Sequence, residues 1–158
     1  MQLGVSAGGG PVTESRVATG AWWDPQMWAR ARAAYVFDLD HHPDAPAGFI
    51  QWLHWVLEIH VARGPQGRAA LAVPARTVIA ATAGLNRNHP LRVSTRAAME
   101  QAIIDDRQAG RMMSRSSWIH EAVAVAVEDA EKRAGGTLTP VPDGQRLPNQ
   151  PAKPVLLS

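Results

Sequence analysis

The chain has 158 residues and a formal net charge of +2 at pH 7, enough length for one ordinary domain or two very small ones. It has no cysteine, which excludes disulfide frameworks, thiolate metal sites and a cysteine nucleophile. No apolar run approaches a membrane span and no charged segment leads into an apolar run at the start, so a cytoplasmic protein without membrane attachment is expected.

The charge is unevenly placed. No acid occurs between Glu58 and Glu100, while Arg63, Arg68, Arg76, Arg87, Arg92 and Arg96 all fall there, and Arg107, Arg111 and Arg115 follow soon after. An acid-free, arginine-rich stretch points to a polyanionic partner, with nucleic acid foremost.

In chain order, residues 1–14 are Gly-rich and read as a disordered tail. Ser15 to Thr19 reads as a short strand. Asp24-Pro25 marks a helix start, with Asp as N-cap and Pro in the first helical position. Met27, Ala31, Ala34, Tyr35 and Leu39 supply its apolar stripe. The turn-rich run Asp38–Pro46 ends it. Asp38, Asp40, His41, His42 and Asp44 there match no strong metal-ligand spacing. A second helix is expected from about Ala47 to Ala62, with Phe49, Trp52, Leu53, Val56, Leu57 and His60 as its main stripe. Residues 64–90 read as a connector. Within it Arg76 to Ala83 fits strand or helix equally well, and Asn86 to Pro90 reads as a turn.

Leu91, Val93 and Thr95 then alternate with Arg92, Ser94 and Arg96, which predicts a strand with the polar set on one face. Ala98, Met99, Ala102 and Ile103 predict a helix ending at Gly110. Ser114 or Ser116 caps the next helix, whose stripe is Ile119, Ala122, Val123, Ala126, Val127 and Ala130. Residues 135–158 hold Pro140, Pro142, Pro148, Pro151 and Pro154 and read as a Pro-rich disordered tail.

The two halves look alike. Arg16–Thr19 (RVAT) matches Arg92–Thr95 (RVST), and Trp52-Leu53-His54 matches Trp118-Ile119-His120. This predicts a strand-helix-helix unit at 15–63 and another at 91–134. One such unit leaves its strand unpaired and its helices without a core. A second copy is needed, from this chain or from another. Trp52 and Trp118 sit at core spacing, and His54 and His120 read as packed histidines. No Ser/His/Asp constellation assembles, and Gly8-Gly9-Gly10 neither follows a strand nor opens a helix, so neither an enzyme nor a cofactor is expected.

Residues 91–133 resemble the ribbon-helix-helix DNA-binding proteins of the Arc and MetJ type. The resemblance implies a mainly α fold: a tandem ribbon-helix-helix with a short two-stranded antiparallel ribbon over a four-helix core. It also implies that the ribbon enters the major groove of double-stranded DNA. Matched residue by residue, it makes Arg92, Ser94 and Arg96 the base readers. Ser114, Arg115 and Ser116 would start a phosphate-holding helix, with Arg111 adding charge. The first copy offers Arg16, with Ala18 and Gly20 at its other facing positions, and so reads as a degenerate half. Arg30–Tyr35 (RARAAY), the Trp-led second helices and the ending EKRAGG before a Pro-rich tail are similar to plasmid centromere-binding proteins of the ParB type. This implies a role in plasmid partition beside a ParA-type ATPase, with a homodimer or an intrachain pseudo-dimer as the assembly. An antitoxin-like or transcriptional repressor remains an alternative, as does a protein-interaction module that does not bind DNA.

Overall fold

Asp24 ends the first strand and starts the first helix. Its carboxylate accepts the Gln26 N–H at 2.9 Å, and Pro25 follows at a position whose missing N–H costs no helical bond. The computed structural model describes residues 14–73 and 84–152. Among them it is mainly helical, with five helices and one two-stranded antiparallel sheet. The order is β1 (Arg16–Trp23), α1 (Pro25–His41), α2 (Phe49–Ala62), α3 (Gly64–Ala69), β2 (Leu85–Arg92), α4 (Val93–Gln108) and α5 (Arg115–Arg133).

The two strands pair along their whole length, from Arg16 opposite Arg92 to Trp23 opposite Leu85. Two expectations are corrected here. Asn86–Pro90 is not a turn but most of β2, because a full ladder with β1 outweighs the turn preference of Asn and Pro. Pro90 fits the ladder. Its carbonyl accepts from the Arg16 guanidinium, and that of its partner Ala18 from Arg96, so backbone groups at this pair point away from the ladder. A missing N–H there removes no interstrand bond. The second correction concerns residues 93–96, which are the first turn of α4 rather than strand. Leu91 and Thr95 are 1% and 2% exposed but Val93 is 47% exposed, so the alternation fails at its middle member. Thr95, Met99, Ala102, Ile103 and Asp106 instead bury one helical stripe. The segment Arg76–Ala83, read as strand or helix, lies outside the described residues.

Elsewhere most of the predicted stripe residues are buried, with Phe49, Ala98 and Ala126 half-buried. Met27, Ala31, Ala34, Tyr35 and Leu39 of α1 are in the core, with Trp52, Leu53, Val56 and Leu57 of α2. The Ala122–Val127 run is helix, and Ile119, Ala122, Val123, Val127 and Ala130 of α5 close the core. Gly110 has φ +96°, the left-handed conformation expected after a helix end.

Trp52 and Trp118 are each the fourth residue of their helix and fully buried. Each indole donates to a buried carboxylate at the end of the preceding long helix. Trp52 reaches Asp38 at 2.9 Å and Trp118 reaches Asp106 at 3.1 Å. Each carboxylate also takes a guanidinium: Arg133 on Asp38 at 2.6 Å and Arg68 on Asp106 at 2.9 Å. Arg68 is carried in by the short α3 and also donates to the His60 and Val61 carbonyls at the end of α2. Residues 135–152 form no helix or strand but run along α1. The Tyr35 hydroxyl donates to the Pro148 carbonyl at 2.6 Å, Arg32 to the Gln145 carbonyl at 2.8 Å, and Leu138 is buried.

Candidate nucleic-acid interface

A two-stranded ribbon shows alternate residues on its two faces. Inward go Thr19, Ala21 and Trp23 of β1 and His89 and Leu91 of β2, all buried. Outward go Arg16, Ala18, Gly20 and Trp22, facing Arg92, Pro90, Asn88 and Asn86 in register. Asn86, Asn88 and Pro90 are exposed, and Trp22 is 42% exposed, unusual for an indole. Both amides lean toward Gly20. A Cβ built there would lie 3.2 Å from the Asn88 Oδ1 and 4.0 Å from the Asn86 Oδ1. Glycine at this position therefore leaves the space that the amide heads occupy. Sequence reasoning missed Asn86 and Asn88 because the run NRNHP has strong turn chemistry. Nothing local marks it as strand, and the signal lies in its partner β1.

The residues expected to read bases are placed differently. Arg92 ends β2, and its guanidinium turns aside to Gln51 at 3.2 Å and Glu58 at 3.0 Å of α2. Ser94 lies in the first turn of α4, where its N–H and hydroxyl both donate to Glu14, at 2.7 and 2.9 Å. Those bonds from Ser94 lower the Glu14 carboxyl pKa and place a carboxylate at the positive end of α4. Arg96, also on α4, reaches the Ala18 carbonyl at 3.3 Å and so lies over β1. Arg16 is exposed at the same end of the ribbon. Among the described residues Arg16, Arg87 and Arg96 form no ion pair. Arg87 lies over the Trp28 ring, 5.1 Å from its centre.

The start of α5 is built as its sequence suggests. Ser114 is the N-cap, accepting the Ser117 N–H at 3.1 Å. The Ser116 hydroxyl accepts the Trp22 N–H at 3.0 Å, which fixes this helix end against the ribbon. Arg115 is half-buried and bonds Glu100 at 3.0 Å. Arg111 was expected to add free charge here. It is instead paired with Glu121 and lies 3.5 Å from Asp106, so its charge is balanced internally.

Two buried histidines hold the ribbon from beneath. His54 Nε2 accepts the Arg92 N–H at 2.9 Å, at the point where β2 becomes α4. His89 Nε2 accepts the Trp23 indole N–H at 3.0 Å, across the strand pair. An accepting ring nitrogen carries no proton, so both imidazoles are neutral in the fold. Burial, then the nearby Arg92 and Arg16, push His54 down to about 4. Burial, then Arg87, push His89 down to about 4. The cluster Asp38–Asp44 makes structural bonds: the His42 ring accepts the Asp44 N–H, Asp40 accepts the Ala152 N–H, and Asp38 holds Trp52 and Arg133. No helix among the described residues is long and apolar enough to cross a membrane. No protein-family model, no curated protein and no solved structure matches the chain.

Proposed function

We propose that this chain binds double-stranded DNA in a sequence-specific way, laying the β1–β2 ribbon in the major groove as a tandem ribbon-helix-helix protein closed within one chain. The observation that carries the reading is the outward ribbon face, with two exposed asparagine amides and an exposed indole on rigid paired strands. Asn is suited to bidentate contact with adenine, and a two-stranded ribbon fits the width of the major groove. Arg16, Arg87 and Arg96 supply guanidiniums without acidic partners among the described residues, as phosphate contacts require. The N-terminus of α5, tied to the ribbon through Ser116 and Trp22, presents a helix dipole and first-turn N–H groups on the same side.

The biological role we assign is centromere binding in plasmid partition, beside a ParA-type ATPase. It rests on the Arg30–Tyr35 and Glu131–Gly136 strings. Addition of the chain with its cognate duplex should stimulate such an ATPase.

The binding reading is tested by fluorescence anisotropy with a labelled random duplex over a salt series. Log affinity should fall linearly with log salt, with a slope of about −3 if three phosphates are neutralised. Absence of any salt-dependent binding at low salt would reject it in favour of a protein-interaction module.

A further inference from the structure

The two halves of the ribbon are equivalent in position but not in chemistry. Asp38 and Asp106 play the same part in the core, each holding the indole that follows it and a guanidinium from elsewhere in the chain. They stand 68 positions apart, as do Gly20 and Asn88. Gly20 and Asn88 are also cross-strand partners. The approximate twofold relating the halves therefore passes through the Gly20–Asn88 pair. The same step relates Ala18 to Asn86 and Trp22 to Pro90.

Each of these outward equivalents differs: Ala18 from Asn86, Gly20 from Asn88 and Trp22 from Pro90. In the helical core Asp38 and Asp106 keep their chemistry at this step, and Trp52 and Trp118 keep theirs at a step of 66, while the buried ribbon positions differ, Ala21 from His89 and Trp23 from Leu91. A twofold protein surface matches a palindromic site because it presents the same groups to both half-sites. This ribbon presents its amides from β2 alone. Ala18 and Gly20 carry no hydrogen-bonding side chain, so β1 has no counterpart to either amide.

We infer that the ribbon reads a directional, non-palindromic duplex site, with adenines contacted by Asn86 and Asn88 and no mirrored contact from β1. This deepens the DNA-binding reading and rests on it. Adenine is the base whose N6 and N7 match the donor and acceptor of an Asn amide in the major groove. The two asparagines are i and i+2 on one strand, about 7 Å apart, with their heads drawn together over Gly20. They therefore address neighbouring base pairs rather than two separated half-sites. A single chain then binds in one orientation and gives its site a polarity, which a symmetric dimer on a palindrome cannot do.

The test is selection from a pool of random duplexes with the full chain, repeated with Asn86→Ala and Asn88→Ala. Both positions are exposed, and circular dichroism would verify that the variants keep the fold. The consensus should lack dyad symmetry and contain adenines whose preference disappears in the variants. Affinity for the selected duplex should drop about 5- to 150-fold per substitution, with affinity for random duplex unchanged. A palindromic consensus, or one that keeps the same adenines in both variants, would overturn the inference. So would salt-dependent binding with no consensus at all, which leaves duplex binding intact. Failure to bind any duplex at low salt is a separate result and rejects the parent reading instead.

Discussion

One guanidinium shows how the acid-free stretch is used. Arg68 is 1% exposed and donates to both oxygens of Asp106 and to the carbonyls that end α2, so it joins α2, α3 and α4 at one point. Removing it leaves a buried carboxylate with the Trp118 indole and the Arg111 guanidinium, 3.5 Å away and already paired with Glu121. Arg68→Ala should cost about 3–5 kcal/mol in urea unfolding, the range for breaking one side of a buried ion pair. The run of arginines between Glu58 and Glu100 thus divides by environment. Arg68 and Arg92 face carboxylates, while Arg87 faces an aromatic ring. Composition cannot make that division, because the carboxylates concerned lie 34 and 38 residues away along the chain. The paired tryptophans were legible, since Trp52 and Trp118 recur in the same three-residue string. Their aspartates were not, since neither lies in a matching string.

At the scale of elements, helices were easier to read than strands. Asp24-Pro25 and Ser114 announce α1 and α5 by capping chemistry, and the apolar stripes of α1, α2, α4 and α5 follow a period of 3.6. The ribbon was misplaced on its second strand because alternation over a few residues resembles the first turn of a helix. The register error follows from this. The RVAT–RVST match equates Arg16 with Arg92, and these are opposite ends of antiparallel partners rather than equivalent positions. Beneath the ribbon, His54 and His89 make its stability depend on pH. Their folded pKa values, about 4, lie below the ordinary 6.5, so the unfolded chain binds more protons between those values. Stability from both histidines is therefore complete above pH 6.5 and is lost as pH falls toward 4. The loss should be on the order of 1–3 kcal/mol for each histidine. Thermal melts from pH 7.5 to 4 should show it, and His89→Gln should flatten the curve in part. A melting temperature unchanged across that range would show that neither ring is held neutral.

For the whole molecule, the ribbon is closed by strands of the same chain, and each strand's ladder is satisfied without a second copy. The protein alone should therefore sediment as a single chain of 17.0 kDa at micromolar concentration. A stable dimer at that concentration would point to strand exchange between chains. The sequence pattern had left both intrachain and interchain pairing open, because periodicity describes faces and not partners. The Pro-rich C-terminal segment was equally opaque. Its anchors, Leu138 and the carbonyls of Gln145 and Pro148, owe their role to Arg32 and Tyr35 on a helix more than a hundred residues earlier.

The separation of the two strands has a consequence for biosynthesis. Arg16 meets Arg92, so every ribbon bond spans the whole of the first half of the molecule. Closing so long a loop is slow relative to local helix formation, so α1 and α2 can form first while β1 has no partner. During synthesis that first half emerges with an exposed strand edge and an incomplete core, the kind of intermediate that associates with its own copies or with a chaperone. The outward ribbon face comes into being only after β2 has been made. A chain that ends before β2 therefore lacks the paired ribbon altogether.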